Sequence, residues 1–449
     1  MEQKGTPLAL GTEDVWKLLL QYAIPSVIAM TASSLYNITD SIFIGHGVGA
    51  LAISGLAITF PLMNLSAAFG SLVGVGGSAL MSLRLGQKDY ETAKQILGNV
   101  LLLNLILGTV YTVFILLFLE PILLFFGASK ATLPFARDFM VIISLGNVVT
   151  HMYLGLNALL RASGNPRRSM FATIYSVLIN VILAPLFIFV FKWGIRGAAL
   201  ATVIAQTSML IWQLNYFRDK KSFIHFQKGM FGLKRKIVID SMSIGLAPFL
   251  MNIASSIIVI IINQSLIRHG GDLAVGAYGI INRLAALFVM VVFGLNMGMQ
   301  PIAGYNFGAR QIGRVNRVLK LTIMLATGVM TAGFLLGELF PRAVVSAFTN
   351  DRDLIGIAIP GMRIVFMFFP IIGMQMVAAT FFQSIGKPGK AIFLSLTRQV
   401  LILLPLLLIL PSFYGVKGVW FSMPAADLLS SITAAWLLTM QYRSSVSKN

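Results

Sequence analysis

Twelve stretches of this chain are apolar over about 20 residues or more, and that pattern constrains its fold more than any other feature. They run over residues 15–43, 51–82, 96–119, 132–160, 169–191, 196–217, 237–267, 273–304, 318–340, 354–382, 391–411 and 418–442. Within a bilayer no water satisfies backbone N–H and C=O groups, so such a segment crosses as a helix. The chain therefore reads as an all-α polytopic membrane protein with twelve transmembrane helices. Of its 449 residues 57% are hydrophobic and 11% charged, where soluble domains carry roughly a quarter charged residues. With no cysteine, disulfides, thiolate metal sites and cysteine nucleophiles are excluded. The polar opening MEQKGTPLALGTEDVWK lacks the layout of a cleavable signal peptide.

A net charge of +19 could suggest a nucleic-acid partner, but the positions of the charges argue against one. The N-terminus and every second loop hold 21 Lys and Arg, from Lys4 to Lys448, while the intervening loops hold 7. That bias follows the positive-inside rule and sets both termini in the cytoplasm. The most basic loop, RDKKSFIHFQKGMFGLKRK (Arg218 to Lys236), divides the chain nearly in half. It reads as a cytoplasmic tether lying against anionic headgroups. The four histidines are scattered and form no metal-ligand spacing.

The halves repeat each other. Gly164 and Pro166 match Gly386 and Pro388, and Gly86 matches Gly308. WGIRGAA (Trp193 to Ala199) matches YGVKGVW (Tyr414 to Trp420), and Pro25 matches Pro248. DSIFIGHG (Asp40 to Gly47) lies over NQSLIRHG (Asn263 to Gly270). An ordered series at an offset of about 222 residues marks an internal repeat. Each repeat holds six spans, so both halves enter the membrane in the same sense, related by a pseudo-two-fold axis along the membrane normal. The expected divisions are an N-terminal lobe over 1–217, a basic linker over 218–236 and a C-terminal lobe over 237–449.

The first span carries the feature of greatest functional interest. Ser33, Tyr36, Asn37 and Asp40 fall at spacings of three and four and so share one helix face. A carboxylate in a span normally faces a cavity or a partner and marks a functional site. Trp16 to Asp40 is 24 residues, about 36 Å of helix, which sets Asp40 in the outer half of the membrane. Pro25 below it is a candidate hinge.

Other signals are weaker. Arg398 and Asp427 each lie about ten residues into their spans from opposite sides and are a candidate ion pair. Arg283 and Arg363 are also within spans, with no partner assignable from sequence. Met63, Met290, Met297 and Met299 lie on the second and eighth spans, and methionine suits promiscuous binding surfaces as well as packing. His151 reads as a satisfied polar residue. The run SLVGVGGSAL (Ser71 to Leu80) lacks the Gly-Lys-Ser/Thr ending of a phosphate loop and reads as close helix packing.

Two six-span halves, Pro25, the Tyr36–Asp40 run, the G-x-P loops and the basic middle loop together resemble the multidrug and toxic compound extrusion family, and within it the DinF-type branch. The resemblance covers essentially the whole chain. It implies a cation-coupled antiporter of a prokaryotic plasma membrane, a monomer without cofactor or metal and not an enzyme, which exports amphipathic, often cationic compounds by alternating access. It implies an N-lobe polar cluster of Asp40 with Asn157, Asn180 and Thr202, to which Gln206, one turn on, adds. Tyr36, Asn37 and Met63 join these as candidate substrate contacts. Archaeal relatives place a second aspartate where this chain has Ala184, so the cluster holds one carboxylate. Proton coupling through Asp40 is the leading expectation. The alternatives are Na⁺ coupling and a flippase for a lipid-linked precursor, the latter favoured if Arg283, Arg363 and Arg398 all face the cavity.

Overall fold

The computed structural model describes residues 7–446. Among the described residues no strand forms, and each apolar segment becomes a helix. The first half comprises α1 (Val15–Gly47), α2 (Ala50–Gly86), α3 (Tyr90–Phe125), α4 (Leu133–Ala162), α5 (Pro166–Pro185) and α6 (Gly194–Arg218). A π-helical turn, Leu186–Val190, extends α5. In the second half a continuous stretch, Arg235–Gly308, is 74 residues long, about 110 Å of helix and far more than one crossing. Gly271 breaks it, with φ 65° and ψ −166°, into α7 (residues 235–270) and α8 (residues 272–308). Then follow α9 (Ile312–Leu339), α10 (Arg352–Phe366 and Phe369–Ser384, bent by 52° between them), α11 (Pro388–Tyr414) and α12 (Val416–Val446). By length and apolarity 10 described helices qualify as crossings and the bent pair is an eleventh; the break at Gly271 makes the twelfth. Several helices outrun their apolar segments; at α3 a cap explains it, since Asp89 accepts from the Thr92 N–H at 3.1 Å and starts the helix six residues early.

The backbone repeats more sharply than the sequence does. Left-handed φ values occur at Gly49, Lys88, Gly164 and Gly194, and again at Gly271, Arg310, Gly386 and Gly415, offsets of 221 or 222 residues. At Lys88 and Arg310 a residue with a Cβ accepts this conformation (φ 62° and 59°), which is uncommon. Both follow the second helix of their half.

The described chain divides into two compact units, residues 7–13 with Ile28–Phe249, and Asp14–Val27 with residues 250–446. The division thus cuts α1 shortly after Pro25. In the first unit α2 and the start of α7 pack with almost no space: a Cβ on Gly245 would lie 1.8 Å from the Leu72 carbonyl, and one on Gly76 2.0 Å from that of Ser241. In the second unit Gly294 and Gly298 let α8 pack closely on α1, where a Cβ would lie 2.6 Å from Val27 and from Ala23, respectively. Small residues that allow backbones to approach are the usual means of helix association in lipid. At Pro25 the missing N–H leaves a carbonyl unpaired. Ser26 Oγ turns back to donate to the Tyr22 carbonyl at 2.8 Å, a bond that favours bending.

The basic loop, expected as a cytoplasmic tether, has a defined place. It is packed onto the first unit, with Ile224 and Met230 buried. Asn99 on α3 clamps it, donating to the Gly232 carbonyl at 3.1 Å and accepting from the Lys234 N–H at 2.8 Å. Its aromatic side chains explain the packing: Phe223 meets Tyr90, and Phe226 meets Phe217 and Phe231. Lys220, Lys221, Lys228 and Lys234 stay exposed. Lys4 and Lys448, counted among the inside charges, lie outside the described residues.

Candidate substrate and ion site

In the first unit two side chains converge on the hydroxyl oxygen of a third. Thr202 Oγ1 on α6 donates to the Ala198 carbonyl at 3.2 Å. With its proton committed, it accepts from Asn180 Nδ2 on α5 at 3.0 Å and from Tyr36 Oη on α1 at 2.8 Å. Both lone pairs of the hydroxyl are then filled. Tyr36, Asn180, Thr202 and Gln206 also line a pocket with Ser176, Val177 and Ala205. About 30 Å³ of it is open to a water-sized sphere, room for roughly two waters and too little for a drug. Gln206 is bonded in turn to Thr150 Oγ1 on α4.

Asp40 sits one turn above Tyr36 and is 7% exposed. Its Oδ1 is buried with no hydrogen-bond partner among the described residues. Charge buried without a partner costs several kcal/mol; taking up a proton or a cationic ligand removes that cost. Ala184 is fully buried in the hydrophobic cluster with Phe187 and Ile188.

The other expected residues scatter. Asn157 is buried and donates to Thr173 Oγ1 at 3.0 Å, with Oδ1 unpartnered; Thr173 is two turns of α5 below Asn180, so Asn157 does not line the pocket. Asn37, expected on the same face as Tyr36, is instead exposed and does not line the pocket. Met63 packs against the hydrophobic cluster around Ile44 and Tyr111 and takes no part in the pocket. Met299 is fully buried. His151 is held through Nε2 by the Ser66 carbonyl at 2.9 Å, while Ser66 Oγ bonds to Asn147 and His151 Nδ1 is unpartnered. Ser176, Thr150 and Thr173 went unnoticed in the sequence. Ser176 was findable, since it lies one turn before Asn180 on the same face of α5.

In the second unit Arg398 and Asp427 do pair, Nε to Oδ1 at 2.5 Å, with Asp427 2% exposed. Arg363 faces Glu338 at 3.9 Å with most of its side chain exposed, and Arg283 is exposed.

A polytopic helical protein with a repeated half and a lone carboxylate beside a polar pocket belongs to the class of membrane transporters. The MatE family model matches residues 25–186 and 246–409, and the chain belongs to that family, the multidrug and toxic compound extrusion transporters. It is 28% identical over 425 residues to the multidrug export protein MepA of Staphylococcus aureus (strain MSSA476), covering 94% of this chain and 92% of that protein. It is 36% identical to the MATE multidrug transporter DinF-BH, with TM-score 0.90 over 98% of each chain. An outward-facing MATE transporter of the MOP superfamily superposes with TM-score 0.93 at 23% identity, over 99% of this chain and 100% of that one. That likeness shows a shared twelve-helix fold.

Proposed function

We propose that this protein exports amphipathic, often cationic organic compounds from a prokaryotic cell in exchange for protons, with Asp40 carrying proton and substrate charge in turn. The observation that carries this reading is the buried Asp40 carboxyl with an unpartnered oxygen. A group in that position is stabilised by a proton or by a cationic substrate, and the two compete. Release of one on arrival of the other gives antiport a physical basis.

Proton coupling is favoured over Na⁺ by the filled valences of Thr202. A Na⁺ ion needs several oxygen ligands, and Thr202 Oγ1 already accepts from Tyr36 and Asn180. The pocket admits water-sized guests only, which suits protons and their waters; a drug requires the helices to move apart. Pro25, with Ser26 bonded back to Tyr22, is the position at which α1 bends to do so. The names of MepA and DinF-BH agree with drug export. Both termini are cytoplasmic on this reading, from the loop-charge bias.

The test is efflux of a fluorescent lipophilic cation from proteoliposomes under an imposed pH gradient or an imposed Na⁺ gradient. Efflux driven by the pH gradient alone is expected. Efflux that responds only to Na⁺ would overturn proton coupling.

A further inference from the structure

The Arg398–Asp427 pair occupies, in the second half, the place that the pocket occupies in the first. At the observed offsets of 222 for α5 onto α11 and 221 for α6 onto α12, Arg398 falls on Ser176 and Asp427 on Gln206. Ser176 and Gln206 both line the pocket. The two halves thus put opposite chemistry at one architectural position: neutral hydroxyl and amide groups in one, a charged pair in the other.

The pair is asymmetric. Asp427 is 2% exposed, whereas the Arg398 side chain is 31% exposed. The contact uses the Nε edge of the guanidinium. The hydrogen bond to Asp427 is donated by Nε, which leaves the two Nη nitrogens for a further acceptor. Arg398 lies ten residues into α11, about 15 Å along it, which is well inside the membrane. An arginine partly exposed at that depth is costly unless water or a polar ligand meets it, because the alternative is hydrocarbon. Its backbone is fixed. Arg398 sits in a π-helical stretch, Thr397–Leu403, and next to it Gln399 exchanges hydrogen bonds with Ser255 on α7, at 2.7 and 3.1 Å. The corresponding residues 175–181 of α5 are ordinary α-helix. π-Helical turns tend to mark functional positions. Here the turn carries the arginine, Asp427 holds its Nε edge, and the adjacent Gln399 ties the turn to α7.

We propose that Arg398 is a carboxylate-recognition residue: its open Nη edge binds the carboxylate of amphipathic anionic or zwitterionic substrates while Asp427 keeps the Nε edge. A guanidinium fork matches a carboxylate in geometry and charge. Asp427 is then a positioning residue, and the protein's substrate range extends from cations to compounds that carry an acid. This inference rests on the export reading above.

The test compares two rhodamine dyes that differ only in whether the carboxyl is esterified, one a plain cation and one a zwitterion. Efflux of each from proteoliposomes is measured for the wild type, for Arg398→Lys, and for the double variant Arg398→Gln/Asp427→Asn. The double variant avoids stranding a buried charge, which would threaten folding. The wild type is expected to move both dyes. The double variant should raise KM for the free-acid dye about 10-fold or more and change KM for the ester by less than about 3-fold. Arg398→Lys, which keeps the charge but loses the fork, should fall between. Equal changes for both dyes would make the pair merely structural and overturn the proposal. So would a wild type that moves the ester and not the acid. If the wild type moves neither dye, the export reading itself falls.

Discussion

Replacing Thr202 with valine keeps the shape of the side chain and removes the oxygen on which Tyr36 and Asn180 converge. Two donors lose their acceptor, and their surroundings set the cost of each. Asn180 is 3% exposed, so its stranded amide costs about 1–3 kcal/mol. Tyr36 borders a pocket with room for water, and a water replaces the lost acceptor at a cost of about 0–1 kcal/mol. Thr202→Val should therefore destabilise by about 1–4 kcal/mol, and Thr202→Ser, which keeps the oxygen, by less than about 1 kcal/mol. The assay is equilibrium unfolding of the purified protein in mixed micelles, combined with Tyr36→Phe in a double-mutant cycle. Tyr36→Phe should cost about 1 kcal/mol in the wild type and close to nothing beside Thr202→Val, a coupling of about 1 kcal/mol. Strictly additive losses, or a valine variant as stable as the serine one, would refute the convergent network.

Three further outcomes are expected. Gly245→Ala drives a Cβ to 1.8 Å from the Leu72 carbonyl and should cost at least about 1–3 kcal/mol, read as lost folded yield; Gly232→Ala meets nothing within 4 Å and should leave yield unchanged. Asn99→Ala removes both clamps on the basic loop, so limited trypsin digestion at Lys228 should quicken while the helices stay protected. Pro25→Ala restores a helix hydrogen bond worth up to about 3 kcal/mol in relief of strain; the variant should unfold no earlier than the wild type yet turn over dye more slowly.

The spans were legible because lipid leaves the backbone no alternative to helix, so apolar length alone located them. The break at Gly271 was legible because the apolar runs 237–267 and 273–304 stop on either side of it. The polar cluster was only partly so. Helical spacing singled out Tyr36, the family resemblance supplied Asn180 and Thr202, and the three meet. Asn157 and Met63 have the right residue types on the right helices, but rotation about each helix axis decides what they touch, and packing against Thr173 and Ile44 sets that rotation. The docking of the basic loop was hidden for a related reason. Its lysines dominate the sequence pattern, whereas three phenylalanines and one buried asparagine on α3 dictate its position. The Arg398–Asp427 pair was visible from depth arithmetic alone, because opposite charges in adjacent spans are costly unless they meet.

The exchange of proton for substrate at Asp40 is tested most directly by proton release on binding. Purified protein in weakly buffered detergent, near neutral pH, is mixed with a lipophilic dye cation while a pH indicator is followed. The wild type should release protons in proportion to the dye bound. Asp40→Asn should release none, whatever dye it still binds. Equal proton release by the two proteins would contradict the account.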